Sequence, residues 1–388
     1  MKSKIIKILF VFGTRPEAIK MAPVVRELRS ESSKFNVVVC VTAQHREMLD
    51  QVLDLFRIKP NYDLNIMTKR QSLSNLTASI LVGVTGVLEK ELPDIVFVQG
   101  DTTTTFAAAQ AAFYLKIPVA HIEAGLRTKN RFSPFPEEIN RRLTSTMVDF
   151  HFAPTECAKR NLIAEGFDES SISVTGNTVI DALRFVLNEH DRASVSEKWN
   201  QWFLSEYNIS LSNHVRTILV TGHRRESFGE GFKRICKALS LLARNNHNIQ
   251  FIYPVHLNPN VQEPVYAILG DVNNIHLIPP LDYEAFVFLM SHSTIILTDS
   301  GGIQEEAPTI GVPVLVMRDT SERTEGIEAG SARLVGTDVD TIVAETQRLL
   351  NNNDEYKRIS NVTNPYGDGK ASKRIATIIS EHFGGINE

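Results

Sequence analysis

Short apolar runs alternate with amphipathic stretches along most of the chain. Buried parallel strands are apolar on both faces, so the runs predict strands, and the stretches with apolar residues at helical spacing predict the helices between them. The predicted strands cover residues 7–12, 37–42, 95–99, 119–122, 150–153, 172–174, 217–221, 250–253, 275–278, 294–297 and 314–317. Strand and helix recur about every thirty residues, a rhythm typical of α/β folds in which helices cover both faces of a parallel sheet.

The rhythm lapses once, over residues 189–214, which are polar and mixed and contain Trp199 and Trp202. A chain of 388 residues is too long for one typical hydrophobic core, so roughly two domains are expected. We place the connection between them in or just before the lapse. The rhythm on either side suits two doubly wound domains whose βα loops face one cleft, and ligands of such sheets bind at the carboxyl ends of the strands.

Composition and charge exclude several classes of protein. With 43% hydrophobic and 22% charged residues the chain resembles ordinary soluble globular proteins, and its net charge of −4 gives no global reason to expect nucleic-acid binding. Cys40, Cys157 and Cys236 are widely separated, which fits a reducing cytoplasm and neither a disulfide framework nor a zinc site. Lys7 interrupts the first apolar run, so that run predicts a strand and not a signal peptide. No run approaches the ~20 apolar residues of a membrane span.

The sequence TDSGGIQEEA at residues 298–307 follows an apolar run and passes into helix-forming residues. This order predicts a strand, a tight turn and the start of a helix. Ser300, Gly301 and Gly302 would present backbone N–H groups at the positive end of the helix, an arrangement that binds anions and most often phosphate. An ordinary glycine-rich βα turn is the alternative.

Two carboxylates follow consecutive predicted strands, and a third begins the next helix. Asp101 and Glu123 come directly after strands, and Glu137 falls in the first turn of a helix. Each acid taken singly fits a helix cap or a charge favoured by the helix dipole. Three acids converging at the strand ends instead favour acid–base chemistry, because neighbouring carboxylates push each other's pKa values apart.

Basic residues likewise lie beyond the ends of predicted strands. Arg15 and Lys20 follow the first strand, His223 and Arg224 follow the strand at 217–221, and Arg323 lies beyond the strand at 314–317. A histidine there suits proton transfer near neutral pH or phosphate binding. The sequence contains no GxGxxG, GxxxxGK[ST] or HExxH motif. It therefore predicts a two-domain α/β protein that holds a phosphorylated ligand between basic groups and carboxylates.

A longer set of motifs resembles one family closely. In chain order they are GTRPEAIKMAP, TAQHREMLDQV, GDTTTT, HIEAGLRT, PEEINR, GNTVIDAL, TGHRRESFG, YPVHLNPNV, LTDSGGIQEEAP, RDTSER and NPYGDG. This set resembles the bacterial non-hydrolysing UDP-N-acetylglucosamine 2-epimerases. The resemblance implies a GT-B fold of two Rossmann-like domains around a central cleft, with an N-terminal domain at 1–185 and a UDP-binding domain at 186–364. A last helix within 365–388 is expected to pack back on the first domain.

The resemblance also implies a reaction. UDP is eliminated from UDP-N-acetylglucosamine to give a 2-acetamidoglucal, and UDP then adds back with the proton on the other face of C2, giving UDP-N-acetylmannosamine for cell-surface polysaccharide. Such a reaction needs an acid and a base on opposite sides of C2 and stabilisation of the leaving diphosphate, but neither a metal nor a nicotinamide cofactor. The implied enzyme is cytoplasmic and a homodimer, with no nucleic-acid or membrane partner.

Site residues carry over position by position. The implied catalytic residues are Asp101, Glu123 and Glu137 as acid–base groups, with His223 beside the leaving diphosphate. The implied substrate-binding set is Arg15, Lys20, Asp101, Glu123, His223, Leu281, Phe286, Ser300, Gly301, Gly302, Glu306 and Arg323, where Glu306 would accept from the ribose hydroxyls. A second, activating UDP-N-acetylglucosamine site is implied at Gln44, Arg70, Arg224 and His256.

One departure from the family pattern stands at SERTE, where the family usually has TERPE and Thr324 replaces a proline. Loss of that proline is expected to loosen the loop that carries Arg323. Three alternatives stay open from the sequence: a hydrolysing epimerase, a GT-B glycosyltransferase, and a nucleotide-sugar-binding regulator without catalysis.

Overall fold

The computed structural model describes residues 4–42, 46–67, 71–212, 215–224, 227–321 and 323–385. Contacts divide the chain into two compact units, one of Met1–Ala182 with Tyr366–Glu388 and the other of Leu183–Pro365. Each unit is built on its own parallel sheet. None of the helices in the described ranges is long and apolar enough to cross a membrane.

The first unit contains a seven-stranded sheet in the order β3-β2-β1-β4-β5-β6-β7. Its strands are β1 (Ile6–Phe12), β2 (Phe35–Val41), β3 (Tyr62–Asp63), β4 (Ile95–Gln99), β5 (Val119–Ile122), β6 (Phe150–Ala153) and β7 (Ile172–Val174). Its helices are α1 (Arg15–Ser30), α2 (Arg46–Leu55), α3 (Leu73–Glu91), α4 (Thr103–Tyr114), α5 (Glu137–Ser145), α6 (Glu156–Ala164) and, across the division, α7 (Thr178–His190).

Alternate residues of the strands supply two cores, one on each side of this sheet. Leu9 and Val11 of β1 pack with α3 and α4 on one side. Phe10 of β1 stacks on Phe97 of β4, with ring centroids 4.8 Å apart, among the residues that point the other way. Burial on both sides explains why these strands appear in the sequence as continuous apolar runs.

The second unit contains a six-stranded sheet in the order β10-β9-β8-β11-β12-β13. Its strands are β8 (Arg216–Thr221), β9 (Ile249–Pro254), β10 (Ile275–Ile278), β11 (Ile295–Thr298), β12 (Val314–Val316) and β13 (Ala332–Leu334). Its helices are α8 (Ala193–Tyr207), α9 (Glu230–Asn245), α10 (Pro259–Leu269), α11 (Tyr283–Ser291), α12 (Gly301–Ile310), α13 (Thr324–Ala329), α14 (Val339–Asn351) and α15 (Asn353–Ser360). The chain ends on α16 (Ala371–Gly384), which packs against α1.

Helix α8 occupies most of the stretch where the sequence rhythm lapses. Seven of its fifteen residues are apolar, but only Trp199 and Phe203, one helical turn apart, are buried, among aromatic side chains such as Phe288 of α11. The polar residues that surround this helix in the sequence hid its apolar spacing, and the helix was not predicted. Strands β3 and β13 were also missed, because strands of two or three residues leave almost no pattern.

His190, the last residue of α7, is buried against Phe288 in a T-shaped contact with ring centroids 5.3 Å apart. Neither ring nitrogen has a hydrogen-bond partner among the described residues. Burial, with a smaller contribution from His292, lowers the pKa of His190 to about 4. Between that value and the ordinary ~6.5, the unfolded chain binds a proton that the folded chain does not. His190 therefore destabilises the fold as the pH falls through this range.

Between pH 7 and pH 5 the free energy of unfolding should fall by about 2 kcal/mol less in His190→Leu than in wild type. Both tryptophans of the chain lie in α8, so tryptophan fluorescence during urea unfolding reports on the second unit alone. The matched control is His247→Leu, at an exposed histidine of the same unit. An unfolding midpoint with the same pH dependence in His190→Leu and wild type would show that His190 carries no such penalty.

Candidate active site

In each sheet the chain winds outward in one direction and then returns to continue on the other side of the first strand. The reversal falls between β1 and β4 in the first unit and between β8 and β11 in the second. Ligands of doubly wound sheets bind beyond the carboxyl ends of the strands at such a switch point. The loops at the first switch point carry Arg15 and Asp101, and those at the second carry His223 and Ser300. The structure therefore gathers these predicted residues at the two switch points.

A buried carboxylate ties the two loops of the first switch point together. Thr14 caps α1 and forms a capping box with Glu17. Oε2 of Glu17 accepts from the backbone N–H groups of Gly13 and Thr14 at 3.1 and 2.8 Å, and Oε1 accepts from the Thr102 hydroxyl at 2.7 Å. Burial raises the pKa of Glu17, while these hydrogen bonds lower it. No role was predicted for Glu17, although the sequence shows the T-x-x-E spacing of a capping box.

Glu123 lies at the end of β5 with φ of 66°, in the left-handed region that few residues other than glycine adopt. Its side chain is buried, forms an ion pair with Lys20 at 2.5 Å and accepts a hydrogen bond from the Gln99 amide. Two predicted residues from distant parts of the chain are thus in direct contact. A non-glycine residue in this conformation stores strain of order 1–3 kcal/mol, and such residues cluster at functional sites.

Asp101 is held by helix α5. Its carboxylate forms an ion pair with Arg141, and its carbonyl oxygen accepts from the Asn140 amide at 3.0 Å. Arg141 also contacts Glu138 at 3.2 Å, and Glu138 accepts from the Thr128 backbone N–H at 3.0 Å. Neither Arg141 nor the fixed position of Asp101 was predicted, because forty residues separate the two partners.

Glu137 differs from its neighbour Glu138, although both lie in the first turn of α5. Glu138 is buried and satisfied, whereas Glu137 is half-buried and has no hydrogen-bond or ion-pair partner in the described parts of the chain. The predicted repulsion among three neighbouring acids is offset at two of them, because Asp101 and Glu123 each have a cationic partner of their own. Glu137 is thus the predicted acid whose carboxylate is not engaged by a described residue.

The strand, turn and helix predicted around residues 298–307 are present. β11 ends at Thr298, Ser300 is the cap of α12, and α12 begins at Gly301. The first N–H groups of a helix have no partner within it, so Gly301 and Gly302 present donors at the positive end of α12. The Ser300 N–H is already used, since it donates to the Thr298 hydroxyl at 2.9 Å. This turn can bind an anion such as phosphate.

His223 lies across the second switch point from that turn. Its ring stacks on His256 with centroids 5.4 Å apart and planes 16° apart, and its backbone N–H donates to the buried Asp299. Burial lowers the pKa of His223, Asp299 raises it, and Arg224 and His256 lower it. His223, Arg224 and His256 are therefore brought together. Gln44 and Arg70, the other residues predicted for an activating site, lie outside the described residues.

The residues predicted to contact the uridine lie in α11 and α12 or just before α11. Leu281 precedes α11, Phe286 lies within it, and the hydroxyl of Tyr283 donates to Oε1 of Glu306 at 2.7 Å. Both partners of that hydrogen bond are buried, so the Glu306 carboxylate has a fixed position. Tyr283 was not predicted; its signal in the sequence is its place in the helix that carries Phe286.

The loop at Thr324 is anchored in spite of the missing proline. Arg323 contacts Glu305 of α12 at 2.8 Å, and its backbone N–H donates to the Ser321 hydroxyl at 3.1 Å. That hydroxyl donates in turn to the amide oxygen of Gln304, which is buried. Thr324 is the first residue of α13, where a proline would also fit. The expected loosening is therefore opposed by two contacts to α12 and one hydrogen bond within the loop.

None of the described residues forms a group of three or more histidine, cysteine, aspartate or glutamate side chains able to hold a metal ion. Cys40, Cys157 and Cys236 are free thiols.

Comparison with known proteins decides the family. The sequence model of the family described as UDP-N-acetylglucosamine 2-epimerase matches residues 26–380. A UDP-N-acetylglucosamine 2-epimerase of Salmonella typhimurium is 56% identical over 376 residues, which cover 97% of this chain and 99% of that protein. The chain belongs to the UDP-N-acetylglucosamine 2-epimerase family.

Solved structures of the same family share its architecture. The UDP-GlcNAc 2-epimerase of Neisseria meningitidis bound to UDP-GlcNAc is 52% identical with a TM-score of 0.90, and the match covers 97% of this chain and 100% of that one. The Methanocaldococcus jannaschii enzyme in complex with UDP-GlcNAc and UDP is 35% identical with a TM-score of 0.80, over 97% and 99% of the two chains. The predicted family and the predicted GT-B class of two doubly wound sheets are confirmed.

Proposed function

We propose that this chain is a UDP-N-acetylglucosamine 2-epimerase that interconverts UDP-N-acetylglucosamine and UDP-N-acetylmannosamine. The observation that carries the proposal is the pair of switch points. The first presents fixed carboxylates, and the second presents an anion-binding helix start beside a histidine. Membership of the epimerase family supports it, as do two relatives solved with UDP-GlcNAc.

The chemistry explains why both groups of residues are needed. The hydrogen on C2 of an N-acetyl pyranose is not next to a carbonyl group, so simple removal and return of that proton would be too slow. Elimination of UDP between C1 and C2 gives a 2-acetamidoglucal, to which UDP adds back with a proton on the opposite face of C2. Because both steps are redox-neutral, the proposed reaction requires no nicotinamide cofactor.

The roles divide between the two units. We propose that Asp101, Glu123 and Glu137 of the first unit handle protons at the sugar, with Arg15 and Lys20 contacting the same substrate molecule. Fixed carboxylates of this kind typically contribute 10²–10⁴-fold to a rate. The ion pair with Arg141 holds the Asp101 carboxylate in place, whereas Glu137 has no described cation beside it.

The second unit is proposed to hold UDP throughout the reaction. The α12 start at Ser300, Gly301 and Gly302 would bind the diphosphate, with Arg323 and His223 stabilising its charge as the C1–O bond breaks. Glu306, held by Tyr283, would accept from the ribose hydroxyls. The uracil would lie near the two apolar residues Leu281 and Phe286. Holding the diphosphate on fixed N–H groups favours its return to C1 over its loss to solvent.

Retention of UDP makes the proposed enzyme non-hydrolysing. Incubation with UDP-N-acetylglucosamine, followed by ion-exchange chromatography and ³¹P NMR, should give UDP-N-acetylmannosamine with only traces of UDP. Stoichiometric UDP with free N-acetylmannosamine would indicate a hydrolysing epimerase instead. Turnover only with an added sugar acceptor would indicate a glycosyltransferase, and binding without any turnover would indicate a regulator.

We also propose that a second UDP-N-acetylglucosamine molecule activates the enzyme through Arg224 and His256, together with Gln44 and Arg70. The stacking of His256 on His223 supports this, because it links a predicted activator residue to a predicted catalytic one. Turnover of pure UDP-N-acetylmannosamine should then begin only when UDP-N-acetylglucosamine is present. Hyperbolic reverse kinetics that trace UDP-N-acetylglucosamine does not change would argue against activation.

We further propose that the enzyme is a cytoplasmic homodimer. Three free thiols suit a reducing compartment. Helices α3 and α4 expose the large apolar residues Val82, Phe113 and Tyr114, which are 73%, 57% and 61% exposed. Burial of apolar surface by a second copy would stabilise the pair. Sedimentation velocity should give twice the 43.4 kDa mass of the chain, and a monomer at micromolar concentration would refute this part.

A further inference from the structure

Asp299 lies directly before the Ser300 turn, between β11 and α12, and its side chain is fully buried. Its Oδ2 accepts from the backbone N–H groups of His223 and Arg224 at 2.7 and 2.8 Å. A carboxylate from one loop of the second switch point therefore fixes the other loop. Nothing in the sequence motifs gives this residue a part in the reaction.

The other carboxylate oxygen of Asp299, Oδ1, is buried but accepts no hydrogen bond from the described residues. It lies 3.4 Å from Nδ1 of His223. A buried carboxylate oxygen without a donor is costly, so a proton on Nδ1 would satisfy it. Hydrogen bonds of this kind are often long before a substrate is bound.

The other groups that face His223 do not compete for that proton. Arg224 has only donors on its side chain. His256 stacks on the ring, and its Nδ1 already accepts from the Asn258 backbone N–H at 3.1 Å. Tyr253 beneath the same loop donates its hydroxyl to the Gly222 carbonyl oxygen at 3.0 Å. Among these neighbours, Asp299 alone offers a vacant acceptor to Nδ1.

We infer that Asp299 is the positioning residue of His223: it accepts the proton on Nδ1 and so leaves Nε2 as the nitrogen that meets the leaving diphosphate. The kinetic part of this inference rests on the proposed epimerase function. Neutral His223 then takes a proton at Nε2, or donates one when charged, without turning its ring. Because Asp299 immediately precedes Ser300, its carboxylate also fixes the position of the imidazole relative to the anion-binding turn.

Asp299→Asn is the variant that tests the pairing. The new amide oxygen can still accept from the N–H groups of His223 and Arg224, but the amide N–H₂ now faces Nδ1. We expect the neutral ring to change tautomer, with its proton moving to Nε2. Asp299 is the group that raises the pKa of His223, whereas Arg224 and His256 lower it, so the titration midpoint of His223 should also move to lower pH.

The tautomer is measured by long-range ¹H–¹⁵N spectra of protein labelled at its eleven histidines, with the His223 signals assigned by their loss in His223→Gln. Wild type should show the proton on Nδ1, and Asp299→Asn should show it on Nε2. If Asp299→Asn does not fold, the wild-type spectrum still decides. A proton on Nε2 of neutral His223 in wild type would overturn the inference.

The kinetic test compares Asp299→Asn with Asp338→Asn, which alters the cap of α14 in the same unit. At metal sites, loss of the partner that orients a histidine typically costs 10–100-fold in affinity or activity. We expect kcat to fall by about that factor with KM nearly unchanged, and the acid limb of the pH profile to shift to lower pH. Equal kcat values and pH profiles in the two variants would refute a positioning role. A wild type inactive on UDP-N-acetylglucosamine would remove the proposed function, while the spectra would still support the Asp299–His223 pair.

Discussion

Asp101→Asn is expected to lower kcat by roughly 10²–10⁴-fold while UDP still binds. Asparagine keeps the shape of the side chain but can neither carry the negative charge nor take up a proton at C2. Its amide oxygen can still contact Arg141, and the Asn140 bond goes to the backbone carbonyl of residue 101, so the loop should keep its place. The proposed UDP contacts lie in the other unit and are unaffected.

The matched control is Asp94→Asn, at the opposite end of β4. Asp94 accepts from the Lys7 backbone N–H at 2.8 Å and lies away from the switch point. Initial rates with UDP-N-acetylglucosamine and calorimetric titration with UDP separate catalysis from binding. Wild-type turnover by Asp101→Asn would remove Asp101 from the acid–base set, and loss of UDP affinity would show that its role is structural.

Glu17→Ala is expected to have the second-largest effect, on both stability and activity. It leaves the N–H groups of Gly13 and Thr14 and the Thr102 hydroxyl without their acceptor in a buried site. One unsatisfied buried group costs about 1–3 kcal/mol, so opening of this region should become easier by roughly 3 kcal/mol or more. Because Arg15 and Asp101 lie on the two released loops, kcat/KM should fall by about 10–100-fold.

Glu17→Gln distinguishes the hydrogen-bond account from one based on charge. Its amide oxygen can accept from Gly13 and Thr14, and its N–H₂ can donate to the hydroxyl oxygens of Thr102 or Thr105, which also accept. We therefore expect Glu17→Gln to retain most of the stability and activity. Hydrogen exchange of amides in α1 and α4 measures local opening in the first unit. Equal losses in the alanine and glutamine variants would show that the negative charge of Glu17, and not its acceptors, matters.

Local patterns predicted the framework of the site well. The strand, turn and helix around Ser300 follow from an apolar run that stops at Asp-Ser-Gly-Gly, and all signals lie within a few residues. The strands ending before Asp101 and Glu123 were likewise predicted from their apolar runs. Each of these elements is determined by residues that are close together in the sequence.

Contacts between distant residues could not be predicted in this way. Lys20 and Glu123 are 103 residues apart, and His223 and Asp299 are 76 apart, so no spacing rule links the partners. Spacing also could not separate Glu137 from Glu138, since both are acids in a first helical turn. Only the fold, which buries Glu138 against Arg141, shows that the two differ.

The two units use the same device at their switch points. Glu17 joins the loops after β1 and β4, and Asp299 joins the loops after β8 and β11. In both cases the carboxylate accepts two consecutive backbone N–H groups from a loop that carries a proposed site residue. Loops that are already fixed in this way need to reorganise less when charge develops on the substrate.

We propose that this chain inverts C2 of a UDP-linked N-acetyl sugar by breaking and remaking its C2–H bond. This is tested by incubation with UDP-N-acetylglucosamine in D₂O, without added cofactor and followed by ¹H NMR. We expect UDP-N-acetylmannosamine that carries deuterium at C2, with deuterium also entering the UDP-N-acetylglucosamine pool at equilibrium. Epimerised product that retains hydrogen at C2, or a substrate that stays unchanged in the presence of folded enzyme, would contradict it.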